Sequence, residues 1–139
     1  SGLLLKNQSV HVGIRGPLYG HGDLDDDARL GFTIIDTMQV AEEGIKPTIE
    51  RIRASVSGAP VYVSIDIDVL DPGFAPGTGT PEAGGLSSRE LLALLRGLTP
   101  LNIVSADIVE VAPAYDHAEI TAIAAAHVAY ELLALLARG

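Results

Sequence analysis

Apolar and polar or small residues alternate over residues 10–15, VHVGIR, and Gly16 and Pro17 stop the run, so the pattern predicts a short β-strand. Residues 16–31, GPLYGHGDLDDDARLG, are rich in turn formers and read as a loop, with an acidic cluster that either caps residues 28–30 or is solvated. The β-branched run FTIID, residues 32–36, predicts a second strand. Over residues 41–56, Ile45, Ile49, Ile52 and Val56 recur every three or four positions, the spacing of an amphipathic helix that Gly58 and Pro60 end. Residues 61–70, VYVSIDIDVL, are apolar at both parities before the aspartates, as in a central strand covered on both faces. Ser87 with Glu90 makes a capping box ahead of LLALLRGL, so a helix starts near Ser88 and stops near Gly97. Residues 102–111, NIVSADIVEV, predict another buried strand closed by Pro113, and residues 120–137 an Ala- and Leu-rich helix that Thr121 helps to cap.

Strands alternating with helices predict the α/β class, a parallel sheet flanked by helices on its faces. If the two strongest strands are parallel neighbours joined by the helix from Ser88, their C-terminal ends share one edge, the edge at which open α/β sheets bind ligands. Side chains two apart on a strand point the same way, so Asp66 and Asp68 are expected to aim together at that edge, with Ile65 and Ile67 facing away. Two adjacent carboxylates repel, so in a partly buried place either a cation keeps both ionised or one stays protonated. All-oxygen ligands suit magnesium, calcium or manganese. The bland alternative is a solvated strand-end turn shared with Asp71 and Pro72. Asp23, Asp25 and Asp27 have the first spacings of a calcium loop. However, Ala28 replaces its turn glycine and Ile34 its bidentate glutamate, so that cluster reads as surface. A DxD pair after an apolar strand also occurs in manganese-dependent glycosyltransferases and in aspartate-nucleophile phosphatases, and those readings stay open at this point.

Composition narrows the class of partner. With 9 basic and 18 acidic side chains in 139 residues the formal net charge is -9, which repels phosphate backbones and anionic lipid, so neither nucleic acid nor membrane is an expected partner. The absence of cysteine excludes a disulfide framework and a thiolate metal site. No charged-then-apolar leader opens the chain and no apolar stretch is long enough to span a bilayer, giving a soluble, cytoplasmic expectation. The opening SGLLLKNQSV lacks an initiator methionine, which suggests a fragment.

Longer motifs are more specific than DxD. The stretch SIDIDVLDPGFAPGTGTPEAGGL (residues 64–86), followed by DIVEVAPAYD (107–116), resembles the ureohydrolases, the arginase and agmatinase family. VGIRGPLYG (12–20) and TAIAAAHVAYELL (121–133) resemble its agmatinase branch, so the resemblance covers nearly the whole chain. It implies an arginase-like three-layer sandwich with a parallel sheet between helices, of which residues 1–139 are the C-terminal half of a single domain. It further implies that Asp66 and Asp68 are metal ligands of a site holding two Mn2+ ions, and that Glu110 receives the substrate guanidinium. Ala112 departs from the pattern, which more often has Asn or Ser there. The family's other ligands lie in GGDHS-type and DAHxD-type segments that this sequence lacks, so the isolated chain is expected to be inactive. The implied substrate is a small linear guanidino compound, the implied products urea and an amine, and the implied assembly of the intact enzyme a homo-oligomer, trimer or hexamer.

Glu82, in a Gly-rich loop, either lines the substrate pocket or is a solvated loop acid. Arg15 reads equally as an ion-pair, interface or substrate-contact residue, and His11, His21, His117 and His127 as surface or satisfied core residues. A non-catalytic structural or regulatory homologue is the alternative from outside enzymology.

Overall fold

In the computed structural model, which describes residues 2–20, 22–56 and 58–138, parallel strand pairs alternate with helices. The chain runs β1 (Ser9–Ile14), α1 (Asp23–Leu30), β2 (Phe32–Asp36), α2 (Thr37–Glu43), α3 (Ile45–Val56), β3 (Val61–Asp66), α4 (Ser88–Gly97), β4 (Ile103–Val109) and α5 (Ile120–Leu136). β1 pairs with β2 and β3 with β4, both in parallel, forming two two-stranded sheets among the described residues. The α/β expectation holds, and so does the pairing of the two strongest strands through α4.

Packing explains the second pair. α4 begins with the capping box read from the sequence, in which the Ser87 hydroxyl accepts from Glu90 N and the Glu90 carboxylate accepts from Ser87 N. Its Leu91, Leu94 and Leu95 are buried together with Val128, Leu132 and Leu135 of α5 and with Ile103 at the start of β4. Burying a side chain such as Leu95, 2% exposed, contributes about 1.5–3 kcal/mol. α5 packs on β4 and α4, and α3 on α4 and β1, so the core runs between the two strand pairs.

Several sequence expectations are corrected. The stretch read as a loop contains α1, which is eight residues long, four of them aspartate, and buries none of them. Its first turn carries Asp23, Asp25 and Asp26 against the positive end of the helix dipole, and Gly31 closes it in left-handed backbone. The single helix expected over 41–56 is two helices. α2 starts at Thr37 because Asp36 and Gln39 form a capping box, and the chain breaks at Gly44, whose φ of 88° only glycine adopts cheaply. The strand expected to reach Leu70 ends at Asp66 and turns into a 3-10 helix, Ile67–Val69. Its exposure alternates, with Val61, Val63 and Ile65 half-buried and Tyr62, Ser64 and Asp66 exposed, rather than being covered on both faces. Thr121 does not cap α5. Its hydroxyl accepts from Gly77 N, while the Asp116 carboxylate accepts from Thr121 N and Ala122 N.

Candidate functional site

β3 and β4 run in register with Asp66 opposite Val109, so Asp66 and Glu110 emerge side by side from the C-terminal edge. Asp68 follows on the 3-10 turn. The aspartates are thus brought together by the end of the strand and the turn after it, not by strand alternation, which corrects the reason expected from the sequence. Ile67 between them is fully buried and anchors the turn.

Partial desolvation pushes the Asp66 carboxyl above its ordinary pKa. The neighbouring charges of Asp68 and Asp107 push it the same way, and His11 on β1 works against them. A group in that state gains from a nearby cation, which would favour its ionised form. Asp68 is held at both ends: its Oδ2 accepts from Thr80 Oγ1 at 2.7 Å, and its backbone carbonyl from Arg15 Nη2 at 2.6 Å. On the same exposed sheet face the Tyr62 hydroxyl donates to Asp107, and together with Ser64 it holds that carboxyl below its usual value.

Glu110 has a φ of 65°, a left-handed backbone that costs a non-glycine residue about 1–3 kcal/mol. Such strain persists where the surroundings over-determine it, and here they do. Ala112 N donates to Gly77 O at 2.8 Å, and a Cβ on Gly79 would lie 3.9 Å from Glu110 Oε2. The loop of residues 71–85 therefore folds back over the strand ends, as a compact Ω-loop does. It is stapled at its base. Leu70 and Leu86 form a parallel bridge, and the Asp71 carboxylate accepts from Gly73 N and Gly84 N, both at 2.9 Å. These bonds lower the Asp71 pKa. Gly85 is required at that staple, because a Cβ there would sit 2.4 Å from Asp71 N. Glu82 is exposed, its side chain against Gly16 at the end of β1, where an added Cβ would meet Glu82 Cδ at 3.4 Å.

Asp66, Asp68 and Glu110 thus share one edge, while Glu82 stands on its β1 side. The sequence reading placed Asp71 in a strand-end turn but missed Thr80 and the contacts of Arg15. Asp71 was legible as the start of an Asp-Pro-Gly turn, but nothing local marks Thr80 or Arg15. His11 Nδ1 lies 3.8 Å from Asp27, His117 donates its backbone N–H to Asp116, and His127 lines a groove between α4 and α5; His21 lies outside the described residues. Among the described residues no three His, Asp or Glu side chains gather closely enough to enclose a cation. The hard oxygen donors of Asp66 and Asp68, one of them pushed toward protonation, fit a divalent metal as part of a ligand set.

A parallel α/β unit with paired aspartates and a strained glutamate on its C-terminal edge is of the parallel α/β class, in which that edge is the usual place for a ligand. The comparison with known proteins narrows the class. The Arginase family profile matches residues 1–135, and the chain belongs to the arginase family. Agmatinase of Escherichia coli O7:K1 is 51% identical over 132 residues, which cover 95% of this chain and 40% of the relative. Agmatinase of Neisseria meningitidis serogroup C is 48% identical over 134 residues, covering 96% and 41%. Among solved structures, a hypothetical agmatinase from Burkholderia thailandensis superposes with a TM-score of 0.85 at 54% identity, over 96% of this chain and 40% of the other. Proclavaminate amidino hydrolase from Streptomyces clavuligerus gives 0.87 at 48% identity, over 93% and 43%. The chain spans 34% to 41% of the length of the curated relatives it matches.

Proposed function

We propose that this chain is the C-terminal half of a single ureohydrolase domain, and that the intact protein hydrolyses a linear guanidino compound to urea and an amine. The observation that carries the reading is the convergence of Asp66, Asp68 and Glu110 on one sheet edge in an arginase-family chain whose named relatives include agmatinases. Asp66 and Asp68 would hold two Mn2+ ions together with ligands from the rest of the protein. When bound, the metal pair lowers the pKa of water and so supplies a strong nucleophile at neutral pH, which a guanidinium carbon, a poor electrophile, requires. Thr80 keeps the Asp68 carboxylate oriented through its hydroxyl. Glu110 receives the guanidinium through charge-assisted hydrogen bonds, and its strained backbone fixes the direction of approach. Glu82 lines the pocket on the β1 side. With two carboxylates alone the isolated chain would not hydrolyse substrate.

Family membership removes the ground for a glycosyltransferase or phosphatase, which rested on DxD alone. The intact enzyme is proposed to be a cytoplasmic homo-oligomer, a trimer or hexamer, with neither nucleic acid nor membrane as partner. No described helix is long and apolar enough to cross a bilayer.

The test is urea release by the intact protein from agmatine, guanidinobutyrate and related compounds, with added manganese and after chelation. Manganese-dependent urea from at least one of them supports the proposal. A protein that binds manganese yet releases no urea is the non-catalytic homologue, and full activity after exhaustive chelation would sink the metal assignment.

A further inference from the structure

Arg15 leaves β1 and enters no ion pair with a carboxylate among the described residues. Its donors go to backbone carbonyls instead. Nη2 donates to Asp68 O at 2.6 Å, Leu70 O at 3.2 Å and Glu82 O at 2.7 Å, and Nε donates to Glu82 O at 3.1 Å. The carbonyls belong to two segments far from Arg15 in sequence: the turn that carries Asp68 and the loop that carries Thr80 and Glu82. Thr80 in turn donates to Asp68 Oδ2, so the contacts close a ring from Arg15 to Asp68, to Thr80, along the loop to Glu82 and back to Arg15. Gly16, whose φ of 94° favours glycine, turns the chain beside the Glu82 side chain.

We propose that Arg15 is a positioning residue: its guanidinium locks the Asp68 turn and the Thr80–Glu82 loop onto the end of β1, and so holds the Asp68 carboxylate in one geometry. This rests on the reading of Asp68 as a metal ligand. The planar fork suits the task because Nε and Nη2 grip Glu82 O together while Nη2 also reaches the Asp68 turn, a two-nitrogen grip in fixed directions that the single nitrogen of an ammonium cannot reproduce. Carbonyl acceptors also suit it, because an acid paired with Arg15 would place another carboxylate in competition for a cation. Groups that orient a metal ligand typically change metal affinity 10–100-fold when lost.

The experiment uses the intact protein with Arg15→Met, Arg15→Lys, Thr80→Val, Thr80→Ser and, as control, Asp68→Asn. It measures the manganese dissociation constant, the rate of protease cleavage within residues 76–84 of the metal-free protein, and kcat and KM at saturating manganese. Arg15→Met is expected to weaken manganese binding about 10–100-fold, to speed loop cleavage and to lower kcat with little change in KM. Arg15→Lys should fall between it and wild type. Thr80→Val should weaken manganese binding and Thr80→Ser restore it. Asp68→Asn should lose manganese without speeding cleavage, which separates ligand loss from loop release. Wild-type manganese affinity and cleavage rate in Arg15→Met would overturn the proposal. Should that variant fail to fold, wild-type values in Arg15→Lys would overturn it. If the unsubstituted protein binds no manganese, the metal reading fails instead, and the cleavage rates alone decide whether Arg15 clamps the loop.

Discussion

The two strand pairs are built on one plan, two parallel strands and a crossover helix, yet they differ in what the crossover contributes. In the β3–β4 half, α4 is capped at its start and buries Leu91, Leu94 and Leu95. In the β1–β2 half, α1 buries nothing, and the support comes from α2 and α3 through Val40 and Ile52. The paired aspartates and the strained glutamate sit on the firmly packed half, while the other half lends its rim through Arg15 and Gly16. Strained or mutually repelling groups must be held by surroundings that resist relaxation, and close-packed helices provide that resistance.

The comparison is sharpest at the strand ends. In the intact protein, Asp66→Asn or Asp68→Asn should lower kcat/KM about 10³-fold or more and remove manganese, measured by urea assay and metal analysis. Asp36 ends β2 at the corresponding place, but its carboxylate accepts from Gln39 N as a helix cap, a task asparagine performs as well. Asp36→Asn should therefore leave kcat/KM within about 3-fold, a change of the size expected of surface substitutions. A comparable loss at Asp36 would break the distinction between the halves.

Next in size is packing. Leu95→Ala, at a side chain 2% exposed, should cost about 2–5 kcal/mol in denaturant unfolding. Leu30→Ala, at the 70% exposed end of α1, should change stability by less than about 0.5 kcal/mol. Equal costs would show that α1 is as embedded as α4.

A smaller effect tests the strain. Glu110→Gly should be more stable than Glu110→Ala by about 1 kcal/mol, because only glycine adopts a φ of 65° without penalty. Both variants should lose substrate binding. Equal stabilities would mean that the backbone relaxes and that the glutamate is not held under strain.

The smallest effect concerns pH. Desolvation works to raise the Asp116 carboxyl, but hydrogen bonds from Thr121, Ala122 and His117 outweigh it and hold the pKa below its ordinary value. A depressed carboxylate contributes stability that is present above its unfolded pKa and is lost as pH falls through the folded value. Asp116→Asn should therefore flatten the acid limb of the stability curve slightly and leave stability above neutral pH lower but pH-independent in this respect. An unchanged acid limb would show that the Asp116 carboxylate does not hold the start of α5.

What was legible in the sequence was local. The Ser87–Glu90 box and the apolar spacing of α4 depend on residues a few positions apart and stand where they were expected, whereas of the paired aspartates only Asp66 is on the strand, Asp68 lying on the turn after it. The Asp36–Gln39 box was equally legible and went unread because FTIID looked like strand to its last residue. α1 was hidden for a different reason: it is eight residues long, four of them aspartate, and lies among turn formers, so composition outweighed its short period.

The sequence by itself determined the four strands, the helices with an apolar face, the family motifs and the presence of carboxylates at a strand end, because short-range hydrogen bonds and side-chain periodicity act within a few residues. Only the tertiary structure decided where β3 stops, that Glu110 sits in left-handed backbone and that Arg15 reaches Asp68 and Glu82. Those outcomes depend on groups brought together from distant stretches of chain, more than fifty residues apart in the case of Arg15, where no local pattern records the encounter.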